Sequence, residues 1–310
     1  MKPSVIKTVL VLLALLFLSW PIFLSSYYLG LMTQALIFAL FAMSLDLLVG
    51  TLGLPSLGHA AYFGVGAYTA AMLSLKVTNS FWICLLAGTG TGLIVAAVFG
   101  FLAVRTHGAS FLMITLALAQ VLWGIAYKWR GFTGGDDGLS GISLPDLGLP
   151  VVVTTTSYYY LVLIIFGIMS LFLTIIVRSP FGAALQGIRE SESRMRSLGY
   201  NAFLYKYACF VIAGGFAAVS GVLFLFYNRF VGPSDLDVAH SAKGLLMVIL
   251  GGAGTLWGPA VGAVIITLLE HITSAHIDRW IMLLGIIYVL VIMFLPQGIG
   301  GKIKDRIREG

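Results

Sequence analysis

The chain has 310 residues, of which 59% are hydrophobic and only 10% charged; its mean hydropathy is +1.02 and its formal net charge +6. A soluble domain carries about 25% charged residues, so most of this surface faces hydrocarbon and a water-soluble enzyme is excluded. The positive balance is read as a sign of membrane topology, with no nucleic-acid partner.

A helix needs about 20 apolar residues to cross a bilayer. In chain order the candidate crossings are 6–24, 29–49, 60–76, 81–104, 109–129, 158–177, 207–228 and 280–296. Lys2 and Lys7 precede the first, as in a secretory signal, but no small-residue cleavage site follows, and it is read as a retained span. Between the second and third crossings stands GLPSLGHAAYFGVGAYTAA, residues 53–71, where glycine and proline interrupt an apolar run. Pro55 and Ser56 read as a helix start there, with Gly64, Gly66 and Ala70 as a smooth face behind it. The stretch 244–270 is interrupted in the same way. Its Gly254, Gly258 and Gly262 recur every four residues, which on a helix makes one close-packing face, and Pro259 suits the first turn of a new helix.

Lysine and arginine orient the spans, because they resist translocation. With the N-terminus inside, twelve of the eighteen basic residues fall on the cytoplasmic side: Lys2, Lys7, Arg105, Arg178, Arg189, Arg194, Arg196, Lys206, Lys302, Lys304, Arg306 and Arg308. A single crossing over 244–270 would strand the basic tail outside, so this stretch is expected to dip in and return. The result is an all-α polytopic integral membrane protein in one domain, 1–310, with about eight full transmembrane helices plus broken or re-entrant half-helices, ten if counted separately. The breaks lie at 50–60 and 244–262, a cytoplasmic loop at 178–206 and a cytoplasmic basic tail at 297–310.

Irregular backbone at membrane depth survives only where protein buries it or a wet cavity receives it, so paired breaks point to a transport path. Intramembrane polar residues are few. Gln120 sits mid-span, and Asp46 lies about one turn from a helix end, where an acid can reach water. Glu270 and His271 close a helix at the outer face, and His59 opens one, with a structural hydrogen bond as its plainest role. A proton- or sodium-driven carrier would need deeper acids. A passive channel for small neutral solutes fits the breaks. Cys84 and Cys209 lie in apolar runs with no metal spacing and no disulfide framework.

The loop RSPFGAALQGIRESESRMRSLGYNAFLYK, residues 178–206, reads as one amphipathic helix. Phe181, Leu185, Ile188, Met195 and Leu198 share about a third of the wheel, Arg189, Glu190, Glu192, Arg194 and Arg196 fall mostly elsewhere, and Gly199 is the stop. Such an element floats on lipid or docks into a groove of another protein, and the mixed charge disfavours lipid. No phosphate-cradling Gly-x-x-x-x-Gly-Lys-Ser/Thr, catalytic triad, metal cluster or dinucleotide fingerprint is present, so any driving energy must come from a partner.

The segments SLGHAAYFGVGAYTAA, FLMITLALAQ, TGGDDGLSGI, RSPFGAALQGIRESESRMRSLGYNAFLYK and VILGGAGTLWGPAVGA, in that order, resemble the LivM-like permease subunits of branched-chain amino acid ABC importers, over about residues 29 to 298. Urea and short-amide importers have similar subunits, so the resemblance is weaker on the solute. It implies a bacterial inner-membrane complex: a homologous second permease, two cytoplasmic ATPases using ATP and Mg, and an extracytoplasmic amino-acid-binding protein. This chain itself would bind no cofactor and carry no catalytic residue. Phe181, Leu185, Ile188, Arg189, Glu190, Glu192, Arg194, Met195, Arg196, Leu198 and Gly199 would then couple to an ATPase. The candidate path residues are Ser56, His59, Tyr62, Gly64, Gln120, Gly254, Thr255, Trp257 and Gly258. Outer loops with Arg130, Asp136, Asp137, Arg229, Asp235 and Asp237 would receive the binding protein. Where the family often has an amide or neutral residue, this chain carries the acid Asp46.

Overall fold

A computed structural model describes residues 20–21, 25–148 and 154–274, and nearer the C-terminus 282, 285–287, 289, 290, 293 and 298–301. The crossings expected at 6–24 and 280–296, and most of the tail, lie outside the described residues.

The elements are α1 (Ser26–Asp46), a π-helical turn (Leu47–Leu52), α2 (His59–Lys76), α3 (Phe81–Ala103), α4 (Ala109–Lys128), short turns over Arg130–Thr133 and Gly135–Asp137, α5 (Thr155–Arg178), α6 (Pro180–Glu190), α7 (Glu192–Ser197), α8 (Ala202–Asn228), a 3₁₀ turn (Pro233–Leu236), α9 (Val238–Gly251) and α10 (Trp257–Ser274). This is an all-α polytopic membrane protein. Five of the described segments are long and apolar enough to span: Ser26–Leu52, α3, α4, α5 and α8. The stretch expected to cross at 60–76 does form α2, but glycine, alanine and polar side chains keep it out of that set.

Burial sorts these helices. Apolarity does not decide the order, because the surrounding solvent is hydrocarbon. In the most apolar stretch of each span, 94% of residues are buried for Ser26–Leu52 and 83% for α8, against 22–28% for α3, α4 and α5, although α5 is the most apolar of the five. The outer helices turn whole apolar rows outward, such as Ile164, Ile168, Leu171, Phe172 and Ile175 on α5. With hydrocarbon as solvent those rows cost nothing, and association relies on close packing of small residues. A Cβ on Gly66 of α2 would stand 2.6 Å from the Ala218 carbonyl oxygen of α8, and one on Gly88 of α3 would stand 2.8 Å from the Gly66 carbonyl oxygen. Gly221 of α8 likewise lies against the Phe63 carbonyl. Cys84 and Cys209 are free and buried.

The backbone breaks differ in detail from the sequence expectation. Gly53, with φ of +79°, ends the π-turn, and α2 begins at His59, three residues after Ser56. The Ser56 hydroxyl accepts from the Gly58 N–H at 3.2 Å, which holds 54–58 out of the helix. Gly254 stands in the turn between α9 and α10, where Gly252, Gly254 and Leu256 take φ of +103°, +80° and +63°; it is not on a helical face with Gly258 and Gly262. Those two glycines do pack α10 on the Gly251 and Met247 carbonyls of α9. A third break was not foreseen. The link between α8 and α9 tucks inward, so that Leu236 sits on Gly64 of α2.

Gly66→Leu should destabilise the protein by about 3 kcal/mol through overpacking against backbone. Gly90→Ala, where no atom lies within 4 Å of the added methyl, should be neutral or gain up to about 1 kcal/mol. Thermal unfolding midpoints in detergent distinguish the two.

Candidate functional site

Four segments meet where α1 ends. Asp46, the last residue of α1, is 1% exposed, and its carboxylate accepts from the N–H groups of Gly254 at 2.7 Å and Leu256 at 3.1 Å. The positive-φ turn aims two N–H groups, those of Gly254 and Leu256, at the two oxygens of one carboxylate, while the Thr255 N–H between them turns back to the Gly252 carbonyl. A buried carboxylate costs several kcal/mol unless hydrogen-bonded, and bonds to an ionised acceptor are about twice as strong as neutral ones. Asp46 is therefore not the solvated helix end expected from its position.

Arg189 of α6 completes the junction. Its guanidinium donates to the Gly50 carbonyl, its stem lies under Gly53, and its charge acts on Asp46. Gly50 has no room for a side chain, because it faces Asp46 Oδ1 and the Gly254 backbone. From near the C-terminus, Gly300 comes so close that a Cβ would stand 2.7 Å from the Gly251 carbonyl oxygen and 3.0 Å from Thr255 Oγ1.

Higher in the bundle, His59 Nε2 and the Ser44 hydroxyl are 2.8 Å apart, and the Ala60 N–H donates to Ser241 Oγ of α9 at 2.9 Å. The His240 ring lies among Phe38, Phe41, Phe63 and Phe224. Of the residues expected along a path, Ser56, His59, Tyr62 and Gly64 are thus inside packed protein, with Tyr62 closed off by Phe210 and Gly64 by Leu236. Gly254, Thr255, Trp257 and Gly258 stand together at the α9–α10 turn, where Thr255 Oγ1 donates to the Gly252 carbonyl at 2.7 Å and accepts from the Gly258 N–H at 3.1 Å. Trp257 is 45% exposed. Gln120 is separate. It lines an open groove of about 530 Å³ on α4 with Val121, Gly124, Ile125, Lys128 and Trp129. Glu270 pairs with Lys243, joining the two arms of the hairpin, and the His271 ring meets the Tyr27 hydroxyl.

The loop 178–206 is two helices, not one. Ser191, with φ of −160° and ψ of 98°, separates α6 from α7, and its hydroxyl caps α7 by accepting from the Arg194 N–H at 3.4 Å. The apolar side of α6 faces this chain's own bundle: Leu185 and Ile188 are buried, and Phe181 stacks on Tyr205. Those three are corrected from an outward-facing stripe to an anchor. Met195 packs on Gly187. Outward lie Arg189, Glu190, Arg194, Arg196, Leu198, Tyr200 and Leu204. Gly199, with φ of +88°, stops α7 as expected, the Tyr200 N–H returning to the Met195 carbonyl and the Gly199 N–H to Arg196.

Glu192 pins this loop. Its carboxylate meets Lys206 at 2.5 Å, Arg196 at 2.6 Å and His107 at 3.0 Å. Burial alone would raise its pKa, but Lys206, Arg196 and His107 outweigh burial and hold it below the ordinary carboxylate range. At the opposite end of the bundle Arg130, Asp136, Asp137 and Arg229 are exposed. Asp235 and Asp237, expected beside them on the surface, have structural roles. Asp235 is buried and accepts from the Gly232 N–H at 3.0 Å, and Asp237 caps α9. Nothing in the local sequence distinguished these two from solvated turn acids. Among the described residues no group of three metal-ligating side chains occurs.

A depressed carboxylate stabilises the fold above its unfolded pKa, and that gain is lost as pH falls through the folded value. The stability gap between the wild type and Glu192→Gln should therefore be full at neutral pH and shrink in acid, as read by thermal midpoints across pH.

The comparisons with known proteins agree along nearly the whole chain. Residues 27–295 match the family described as branched-chain amino acid transport system / permease component. The chain is 30% identical to the high-affinity branched-chain amino acid transport system permease protein LivM of Salmonella typhimurium, over 96% of this chain and 76% of that protein, and equally so to LivM of Escherichia coli. It is also 25% identical to LivH of Escherichia coli, over 86% of this chain and 91% of that one. No solved structure matches. With the family's match running through both broken segments, the α6–α7 loop and the α9–α10 hairpin, this chain belongs to the branched-chain amino acid transport permease family.

Proposed function

We propose that this chain is one of two permease subunits in an ATP-driven importer of branched-chain amino acids, set in a bacterial inner membrane with both termini in the cytoplasm. A homologous permease would complete the path, two cytoplasmic ATPases would drive it, and an extracytoplasmic binding protein would deliver the solute. The similarity to both LivM and LivH, each a permease protein of a high-affinity branched-chain amino acid transport system, supports pairing of two homologous permeases.

The observation that carries the coupling half of this reading is the α6–α7 loop. Its apolar face is consumed in anchoring, yet Leu198, Tyr200 and Leu204, at 68%, 41% and 55% exposure, remain uncovered beside Arg189, Arg194 and Arg196. Exposed aromatic, aliphatic and arginine side chains on one loop are the composition of a protein interface, and the exposed Glu190 among the arginines disfavours an anionic lipid surface. A solute with an apolar body and a zwitterionic head needs few charges along its route, so small residues, aromatics and backbone dipoles around the α9–α10 turn suffice. Arg130, Asp136, Asp137 and Arg229 are the groups left to meet a binding protein.

In the reconstituted complex, Leu198→Asp should lower ATPase co-purification by about tenfold, the effect of losing an interface anchor of 1.4 kcal/mol or more, while the variant keeps its thermal midpoint. Retained binding and uptake would refute the coupling assignment. Uptake of labelled leucine, isoleucine and valine against urea and acetamide identifies the solute class, and transport confined to the amides would overturn the amino acid reading.

A further inference from the structure

The junction at Asp46 ties together segments that are far apart in the chain. Its carboxylate holds N–H groups 208 and 210 residues away, and Arg189 reaches a carbonyl 139 residues away. The held turn is one that relaxes without its anion. Leu256 sits at φ of +63°, a left-handed conformation costing about 1–2 kcal/mol for a side-chain-bearing residue. Withdrawal of the carboxylate also orphans two N–H groups, which then gain by turning to water. The turn is free to do so on one side, because Ala253, Gly254 and Trp257 are exposed.

Arg189 is placed to control this. It projects from α6, the element exposed beside α7, and it grips Gly50 in the same π-turn that follows Asp46. A hydrogen bond is lost when its atoms part by roughly 1 Å beyond about 3 Å, so a small displacement of α6 suffices to remove both the bond and the positive charge beside the carboxylate. We infer that Asp46 is a positioning residue that holds the α9–α10 turn closed at this end of the permease, and that Arg189 is the handle by which movement of α6 releases it. This inference rests on the proposed coupling of α6–α7 to an ATPase for its trigger, but the hold of Asp46 on the turn stands independently of that trigger.

The test uses the complete transporter in proteoliposomes, with Leu256→Cys as a single labelling site, since Leu256 is buried while the turn is held; the native Cys84 and Cys209 are buried too. Loss of charge-assisted hydrogen bonds changes an opening equilibrium by about tenfold or more, so Asp46→Ala should raise maleimide labelling at position 256 by that factor. ATP hydrolysis should become independent of the solute-loaded binding protein, and uptake should fall by a similar factor. Arg189→Ala should raise labelling likewise, and Arg189→Lys, which keeps the charge and can reach the carbonyl, should restore most of the protection. In the unsubstituted background, trapping the ATP-bound state should also raise labelling. If Asp46→Ala does not purify as a folded complex, the isosteric Asp46→Asn decides with the same readout. Unchanged labelling and coupling in the Asp46 and Arg189 variants would overturn the inference. Labelling that rises in the Asp46 variants but ignores nucleotide in the unsubstituted background would instead refute the trigger, and with it the coupling reading, while leaving the hold intact.

Discussion

Asp46 ends α1 inside the bundle, where a carboxylate cannot find water, and the peptide N–H groups of Gly254 and Leu256 take water's place. Both partners need the arrangement. The positive-φ turn points the N–H groups of Gly254 and Leu256 inward, where the two oxygens of one carboxylate satisfy both. A buried acid, in turn, survives only if such donors surround it. The two interruptions of regular backbone are thus mutually completing, which is how an irregular chain becomes tolerable at membrane depth. Gly50 and Gly53 are required at this point because the Asp46 carboxylate, the hairpin tip and the Arg189 stem leave no volume for side chains.

Around this junction the helices are arranged by a rule that differs from that of soluble proteins. Apolarity does not distinguish inside from outside when the solvent is hydrocarbon, and α3, α4 and α5 expose rows of leucine, isoleucine and phenylalanine without penalty. What lets the central helices approach closely is residue size at their crossing points. The contacts of α2, α3 and α8 run through Gly66, Gly88, Ala218 and Gly221, whose small volume lets backbones touch. The inward tuck of Leu236 onto Gly64 follows from the same logic, and Asp235 beside it holds the loop by accepting from the Gly232 N–H.

The α6–α7 loop shows how an amphipathic pattern is divided between two tasks. Leu185, Ile188 and Phe181 fasten α6 to the bundle, and the ion cluster of Glu192 with Lys206, Arg196 and His107 fixes α7 against α8 and the α3–α4 loop. Rigid attachment is what a lever needs, since force applied at Leu198 or Tyr200 is otherwise absorbed locally. Through Arg189 the same loop touches the Asp46 junction, so the exposed patch and the hairpin turn are joined by one side chain.

Composition and spacing were enough to establish a helical membrane protein, the positions of α1 to α5 and α8 within about five residues, two of the three places where the backbone breaks, and the stop at Gly199. These are local properties: hydropathy along a window, the absent donor of proline, the free φ of glycine. Sequence could not show that Asp46 is buried, that Leu185 and Ile188 face inward, that Ser191 divides the loop helix, or that Asp235 and Asp237 are structural. Each of these depends on a partner more than one helix away or on a capping bond that competes with continued helix. A carboxylate one turn from a helix end looks the same in sequence whether water or a distant turn receives it. Only the tertiary structure, by bringing residues 46, 50, 189, 254 and 256 to one point, decided which.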